Sequence, residues 1–405
     1  MQRALWLPQF TMLLYWMTSQ GVRPFIPLQI ESRGGSPVLL SVAVVAYPAC
    51  ALALTAIVAR AVDGPRPTTW MILGAGAGAG CGIAYGMNRS APVLALFYAL
   101  SAVPEMLAWI GLQAHLGRNS RAPYGRLMVR IASIAWGLGM AVGPLIGGLL
   151  LEHRGFHLLG IYYAAGYVAL GGLWFWISRS PGVARTSRLH GSRKPAKLRF
   201  SAAVAQLWSI PIFRVMSISA FASHFVNSNR TSYYPIILQG EGLDVAAIGL
   251  LLSVAGASEL AIRLVLPLVQ ALMHNLYLLY SSIALVVLGL AMSGFTANIG
   301  MLFIGAAMMG AGLGIGAQVG LEVAAVTGER IAPGSSAAIR VGMNRSAQLV
   351  QPIAFPPVLR LAGGPLSLPI AAALLGTGAL AAVLPVFRRA RGDAAREASS
   401  GHYEN

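Results

Sequence analysis

Charge is what this sequence has least of. Only 10% of its 405 residues are Asp, Glu, Lys or Arg, and acids are the scarcer sign, 12 against 29 bases. A water-soluble domain carries roughly a quarter charged residues, because its surface has to be wet. A chain this long with so few charges cannot cover itself in water. Its 56% hydrophobic content and mean hydropathy of +0.68 instead place most of its surface in lipid. Cysteine is nearly absent: Cys50 and Cys81 both fall in apolar runs, with neither metal-ligand spacing nor a disulfide framework. Seven scattered histidines, no Ser/His/Asp constellation and no paired carboxylates argue against an enzyme. No metal or cofactor is expected.

What is present is a series of long apolar runs. A membrane-crossing helix needs about 20 such residues. Runs of that kind lie near 7–30, 37–59, 68–87, 91–115, 129–151 and 156–178, then near 208–238, 245–272, 276–294, 298–325, 335–359 and 365–387. The expected fold is therefore an all-α integral membrane protein of twelve transmembrane helices, in two pseudo-symmetric six-helix bundles around a central cavity. The first run leads through "QGVRPFIPLQIESRGGS" into the second without a small-residue cleavage site, so it reads as a membrane helix. The domains expected are a bundle over 1–178, a cytoplasmic linker over 179–207, a second bundle over 208–387 and a cytoplasmic tail over 388–405.

The net charge of +17 raises the question of nucleic acid, and the distribution of the bases answers it. With both termini inside, loops on that side hold Arg118, Arg121, Arg126 and Arg130, the seven bases between Arg179 and Arg199, and Arg388 to Arg396. The opposite loops keep only Arg33, Arg89, Arg154 and Arg360. The excess charge orients the protein in its bilayer, and no nucleic-acid partner is needed to explain it. The linker carries many of these bases and suits a solvated segment, with a short helix on anionic headgroups as an alternative.

The two halves repeat. Aligning Pro27 with Pro235 sets an offset of 208 residues, which also places Ser36 on Asp244 and Pro144 on Pro352. Duplicated six-helix units are a common way to build a transporter.

These features resemble the major facilitator superfamily of secondary transporters. The stretch "ARAVDGPRP" at 59–67 is similar to the family's loop between the second and third helices, with Asp63, Gly64 and Arg66 matching and Ala59 standing in for its first glycine. "WGLGMAVGPLIGG" at 136–148 is similar to the antiporter pattern of the fifth helix, matching at Gly139, Gly143, Pro144, Gly147 and Gly148. "VGMNRSAQLVQP" at 341–352 resembles the eleventh helix of drug-efflux members. The resemblance implies gating roles for Asp63, Arg66 and the span-five glycines and proline. A phosphate-binding loop is not the reading of 136–148, since it lies mid-span. Gly139, Gly143 and Gly147 recur every four residues and offer a smooth face for close helix contact, while Pro144 removes one hydrogen bond and allows a bend. "GAGAGAG" at 74–80 lacks dinucleotide spacing and reads as packing.

Charges inside spans are costly and usually face a cavity or a partner. Glu105, after Pro104 in the fourth run, is the leading proton-coupling candidate, with Glu259 and His224 behind it. Glu259 stands one turn before Arg263, a spacing that also suits a structural ion pair. Glu322 lies nearer a helix end. Candidates for the substrate cavity are Arg23, Tyr47, Gln113, Trp136, Asn227, Arg230, Gln318, Asn344 and Gln348, with Arg345 either there or structural. Arg23 either binds an anion, pairs with Glu105 or snorkels to headgroups. The expected function is proton antiport exporting small, partly apolar molecules. The alternatives are an uptake carrier for a sugar, peptide or siderophore-like metabolite, and a non-transporting membrane sensor. The expected partners are a small-molecule substrate, protons and the lipid bilayer. The chain is taken as a monomer in a bacterial inner membrane.

Overall fold

Backbone amides in lipid have no water to bond, so a spanning chain must satisfy them within its own helices. The computed structural model describes residues 2–63, 67–119, 125–179, 200–330 and 333–400, and among them no strand occurs. The protein is an all-α membrane protein of twelve spans in two related six-helix bundles around a central cavity.

Span 1 is made of two pieces, Gln2–Val22 and Phe25–Ser32; span 2 is Pro37–Asp63, span 3 Pro67–Met87 and span 4 Ala91–Asn119. Spans 5 and 6 form one helical run, Gly125–Arg179, turned back at Gly155. Gly155 takes φ 73°, where any other residue would carry a strained Cβ. The backbone passes Pro144 with helical angles, so the departure lies at Gly155 and not at the proline. A short helix, Phe200–Ser209, precedes span 7, which is again two pieces, Pro211–Arg230 and Tyr233–Gly240. Spans 8 to 12 are Val245–Leu272, Asn275–Met292, Ile299–Arg330, Pro333–Ala362 and Ser367–Ser400. The last helix continues beyond the expected end of its apolar run. Most of the linker, 180–199, lies outside the described residues.

Eight described helices are long and apolar enough to cross a membrane, one of them the doubled run of spans 5 and 6. Spans 1, 7 and 11 fall short of that mark. Spans 1 and 7 are broken, and all three carry the polar residues Arg23, Asn227, Arg230, Asn344 and Arg345. Polarity inside a membrane marks the helices that face the interior.

The 208-residue offset holds at one element start after another. Phe25 pairs with Tyr233, Pro37 with Val245, Pro67 with Asn275, Ala91 with Ile299 and Gly125 with Pro333. The left-handed glycines follow it too, Gly34 with Gly242 and Gly155 with Gly363. Since six crossings return the chain to its starting side, the two halves are parallel repeats, related about an axis along the membrane normal.

Span 5 holds the assembly together. A Cβ on Gly139 would meet Leu13 O, on Gly143 Met17 O, and on Gly147 Gly21 O at only 1.7 Å, so this face lies against the backbone of span 1. The expected smooth face is thus in contact with a helix of its own half. Gly148 points the other way, toward Val245 and Gly249 of span 8, and Gly256 packs on Met140. Span 5 therefore also joins the two halves, and Val245 N–H donates to Glu152 Oε2 at 3.0 Å near the end away from the basic loops. Within the "GAGAGAG" run, Gly74 packs on Leu107 and Gly78 on Tyr167, while Gly76 has open space around its Cα. Gly147→Ala is expected to lower stability by about 1–3 kcal/mol through overpacking, and Gly76→Ala to leave it unchanged. Thermal unfolding of the purified protein in detergent checks both.

Candidate functional site

Glu105 is 3% exposed in the middle of span 4. Such a carboxyl has to find its solvation inside the protein. It finds it in tyrosine. Tyr47 of span 2 donates its hydroxyl to Oε2, and Tyr163 of span 6 donates to Oε1 at 3.1 Å. Tyr15 of span 1 donates to the backbone carbonyl of Glu105 at 3.3 Å. Behind these stand Tyr98, stacked on Tyr47 with ring centroids 5.1 Å apart, and Tyr85 and Tyr167 against Tyr163. One acid of the first half thus sits in a cage of phenols.

Arg23 does not pair with Glu105 directly; among the described residues the one ion pair is Arg263–Glu259. Tyr47 stands between them. The Arg23 guanidinium lies 4.7 Å over the centroid of its ring while its hydroxyl holds Glu105. The cation, the phenol and the acid are therefore connected in series across spans 1, 2 and 4.

Arg23, Tyr47 and Tyr98 also line a small cavity of about 10 Å³, room for roughly one water. Its other wall belongs to the second half: Ser228, Thr231, Ser232 and Gln348. Val44 and Pro48 complete it, and Pro48, lacking an N–H, leaves the Val44 carbonyl without its helical donor. Gln348 accepts from Arg345 at 2.9 Å, and Asn227 accepts from Arg230 at 2.9 Å.

Toward the basic side, spans 1, 4 and 5 bring Trp16, Trp109 and Trp136 together at centroid separations of 5.1–5.2 Å. Arg263 of span 8 places its guanidinium 3.9 Å over Trp136, donates to Ser133 Oγ at 3.4 Å and pairs with Glu259. Both side chains of that pair are about 5% exposed. Glu259 is therefore occupied in a bridge that also touches the first half.

The other sequence candidates are more scattered. His224 is half-buried with its Nδ1 unpartnered, and the nearby charges that act on it are Arg345, Arg340 and Arg23. Asn344 is half-buried, its Oδ1 buried without a partner. Gln113 is exposed, two turns beyond Glu105 on span 4 and outside the cage. Gln318 lies apart, donating to Glu322 Oε1 at 3.1 Å, while Gln270 donates to Glu322 Oε2 at 2.6 Å. Asp63 is the last residue of span 2, its side chain outside the described residues, as is Arg66 altogether. Pattern reading missed Tyr15, Tyr98, Tyr163, Trp16 and Trp109. Trp109 follows Glu105 by one helical turn, which puts both on one face, and "IYYAAGY" at 161–167 is unusually rich in phenols for an apolar run.

A two-bundle membrane fold whose polar groups meet at mid-depth between the halves is that of a transporter. The chain belongs to the Major Facilitator Superfamily, whose family model matches residues 10–352. No curated protein matches it. Among solved structures, it is similar to a POT family transporter in complex with 5-aminolevulinic acid, at 12% identity, 95% coverage of both chains and a TM-score of 0.74. The nucleoside transporter NupG is similar at 12% identity, 95% and 98% coverage and a TM-score of 0.71. A bacterial homolog of the human lysosomal transporter Spinster follows at 14% identity, 96% and 92% coverage and a TM-score of 0.64. At such identities the likeness is one of fold.

Removing one member of the buried Glu259–Arg263 pair strands the other charge. Arg263→Gln is expected to lose about 3–5 kcal/mol, and the double variant with Glu259→Gln to recover most of it. Unfolding of the three proteins in detergent, compared as a cycle, measures the coupling.

Proposed function

We propose that the chain is a proton-coupled carrier of small molecules in which Glu105 takes up and releases the coupling proton. The observation that carries this reading is the series Arg23–Tyr47–Glu105. It ties a buried carboxyl of the first half to the cavity shared with the second, so occupancy of that cavity and protonation of Glu105 affect each other through Tyr47. The Glu259–Arg263 pair, already neutralised and packed on Trp136, has the part of a brace between spans 8 and 5. His224, on which the charges of Arg345, Arg340 and Arg23 act among the described residues, takes no part in this reading.

Alternating access then consists of the two six-helix halves, 1–178 and 208–387, rocking about the shared cavity. Gly148 of span 5, against Gly249 of span 8, forms the close contact between the halves about which this motion occurs. The carrier acts as a monomer in a bacterial inner membrane, its basic loops and both termini cytoplasmic. Export of partly apolar molecules in exchange for protons is the mode supported by the glycine–proline pattern of span 5, with the Trp16–Trp109–Trp136 wall suited to the apolar part of the cargo. In that mode cargo and proton exclude each other. A second mode, in which both bind together and move inward, is favoured by the arginines Arg23, Arg230 and Arg345 around the interface.

Proteoliposomes loaded with a pH-sensitive dye and given a chemically diverse panel test the proposal. Cargo-triggered proton movement is expected in the natural protein and only background movement in Glu105→Gln. Proton movement retained in full by that variant would refute the assignment. The direction in which protons move relative to cargo separates exchange from cotransport.

A further inference from the structure

Spans 1 and 7 are interrupted at equivalent places, 208 residues apart, and each resumes as a helix of eight residues, Phe25–Ser32 and Tyr233–Gly240. Neither short helix has a side-chain cap at its start. Ser232 occupies the capping position in span 7 but donates its hydroxyl to Ser228 O at 2.7 Å instead. At Ser232, whose backbone leaves helical angles (φ −130°, ψ −78°), the positive end of the Tyr233–Gly240 dipole is left at the break. Interrupted helices in transporters commonly turn such ends toward anionic groups of their cargo.

A second, independent observation points the same way. Arg23 lies in the break of span 1, and Arg230 is the last residue before the break of span 7. Arg23 shares its cavity with Thr231 and Ser232 of that second break. The Nε of Arg23 and the Nη1 of Arg230 are buried without hydrogen-bond partners. Arg230 is 3% exposed. Arg23 is close enough to act electrostatically on both Arg230 and Arg345. Like charges from both halves thus lie within electrostatic range of one another. The two acids within reach are already engaged: Glu105 is bonded to Tyr47 and Tyr163, and Glu259 is paired with Arg263.

We infer that the cargo carries an oxyanion, a carboxylate or phosphate, which binds between Arg23 of the first half and the Thr231–Ser232 break of the second. There it neutralises the Arg23 guanidinium, accepts from its unpartnered Nε and lies beside the uncapped start of Tyr233–Gly240. An anion at this point bridges the halves, as a group carried from one side to the other must. It also competes with a charged Glu105 for the field of Arg23 across Tyr47, and so favours the protonated carboxyl. Cargo and proton then bind together, which selects the cotransport mode. This last step rests on the proton-coupled reading above; the anion site itself does not.

The test uses the purified full-length protein in detergent and four probes on one aromatic body: 1-naphthaleneacetate, 1-naphthyl phosphate, 1-naphthaleneacetamide and 1-naphthylmethylamine. Titration calorimetry is expected to show at least one of the two anions binding at least about tenfold more tightly than the amide or the amine. Which anion is preferred distinguishes a carboxylate cargo from a phosphate one. Arg23→Gln is expected to weaken the preferred anion by about 10–100-fold, the worth of a charged hydrogen bond. Gln348→Glu, at a half-buried position beside Arg345, adds a negative charge to the lining and is expected to weaken it by at least about tenfold. It keeps the test decisive if Arg23→Gln does not fold. Equal binding of the amine or amide, failure of both anions to bind, or unchanged anion binding in Gln348→Glu overturns the inference. Anion preference without proton movement would overturn only the proton-coupled reading, and proton movement without anion preference only this one.

Discussion

Lipid tails are as apolar as leucine, so nothing squeezes helices together in a bilayer as water does, and close packing has to supply the contact. Span 5 meets that constraint on two faces. Gly139, Gly143 and Gly147 accept the backbone of span 1, while Gly148 meets Gly249 of span 8. Span 1 carries Arg23 and Tyr15, and span 8 carries Glu259 and Arg263. The polar groups of the interface are held in register by contacts made from residues with no side chain at all. A methyl group on Gly147 would separate the helices that position them.

Given that frame, burial of Glu105 becomes affordable only through its tyrosines. A phenol is a suitable partner for a carboxyl that changes charge, because it donates to the ionised form and still accepts from the protonated one. A lysine or arginine in direct contact would instead hold the acid permanently ionised. Arg23 is kept one ring away from it. The acid consequently meets the Tyr47 hydroxyl rather than the guanidinium itself.

Much of this was legible in the residues themselves. The twelve runs, the repeat and its 208-residue offset follow from hydropathy and proline spacing, because lipid imposes span length and duplication preserves it. Glu105 was legible as a lone acid in an apolar run, and Arg23 and Tyr47 as polar residues nearby. That Tyr47 stands between the other two was not, since three different spans bring them together and no local spacing records the rotation of one helix against another. Gln113 and Gln318 show the same gap from the other side. Both looked suited to a cavity by composition, yet one is exposed and the other is engaged with Glu322 near the ends of spans 8 and 10. Pro144 allows a bend by its missing N–H, while the residue of this run whose backbone leaves helical angles is Gly155.

The repeat has a further consequence. Moving along the chain by 208 residues lands Glu105 on Leu313, Tyr47 on Ala255, Tyr98 on Ala306, Tyr163 on Ala371 and Tyr167 on Leu375. The acid and the phenols nearest it thus have aliphatic counterparts, while Tyr15 and Tyr85 fall on Ser223 and Ser293. The duplicated halves have kept a common scaffold and specialised unequally. The first half gathers a buried acid and its phenols around one point. The second half carries mostly aliphatic side chains at the matching positions, with Ser223 and Ser293 as the exceptions. The two-fold shape of the backbone thus conceals a one-sided placement of its buried acid and phenols.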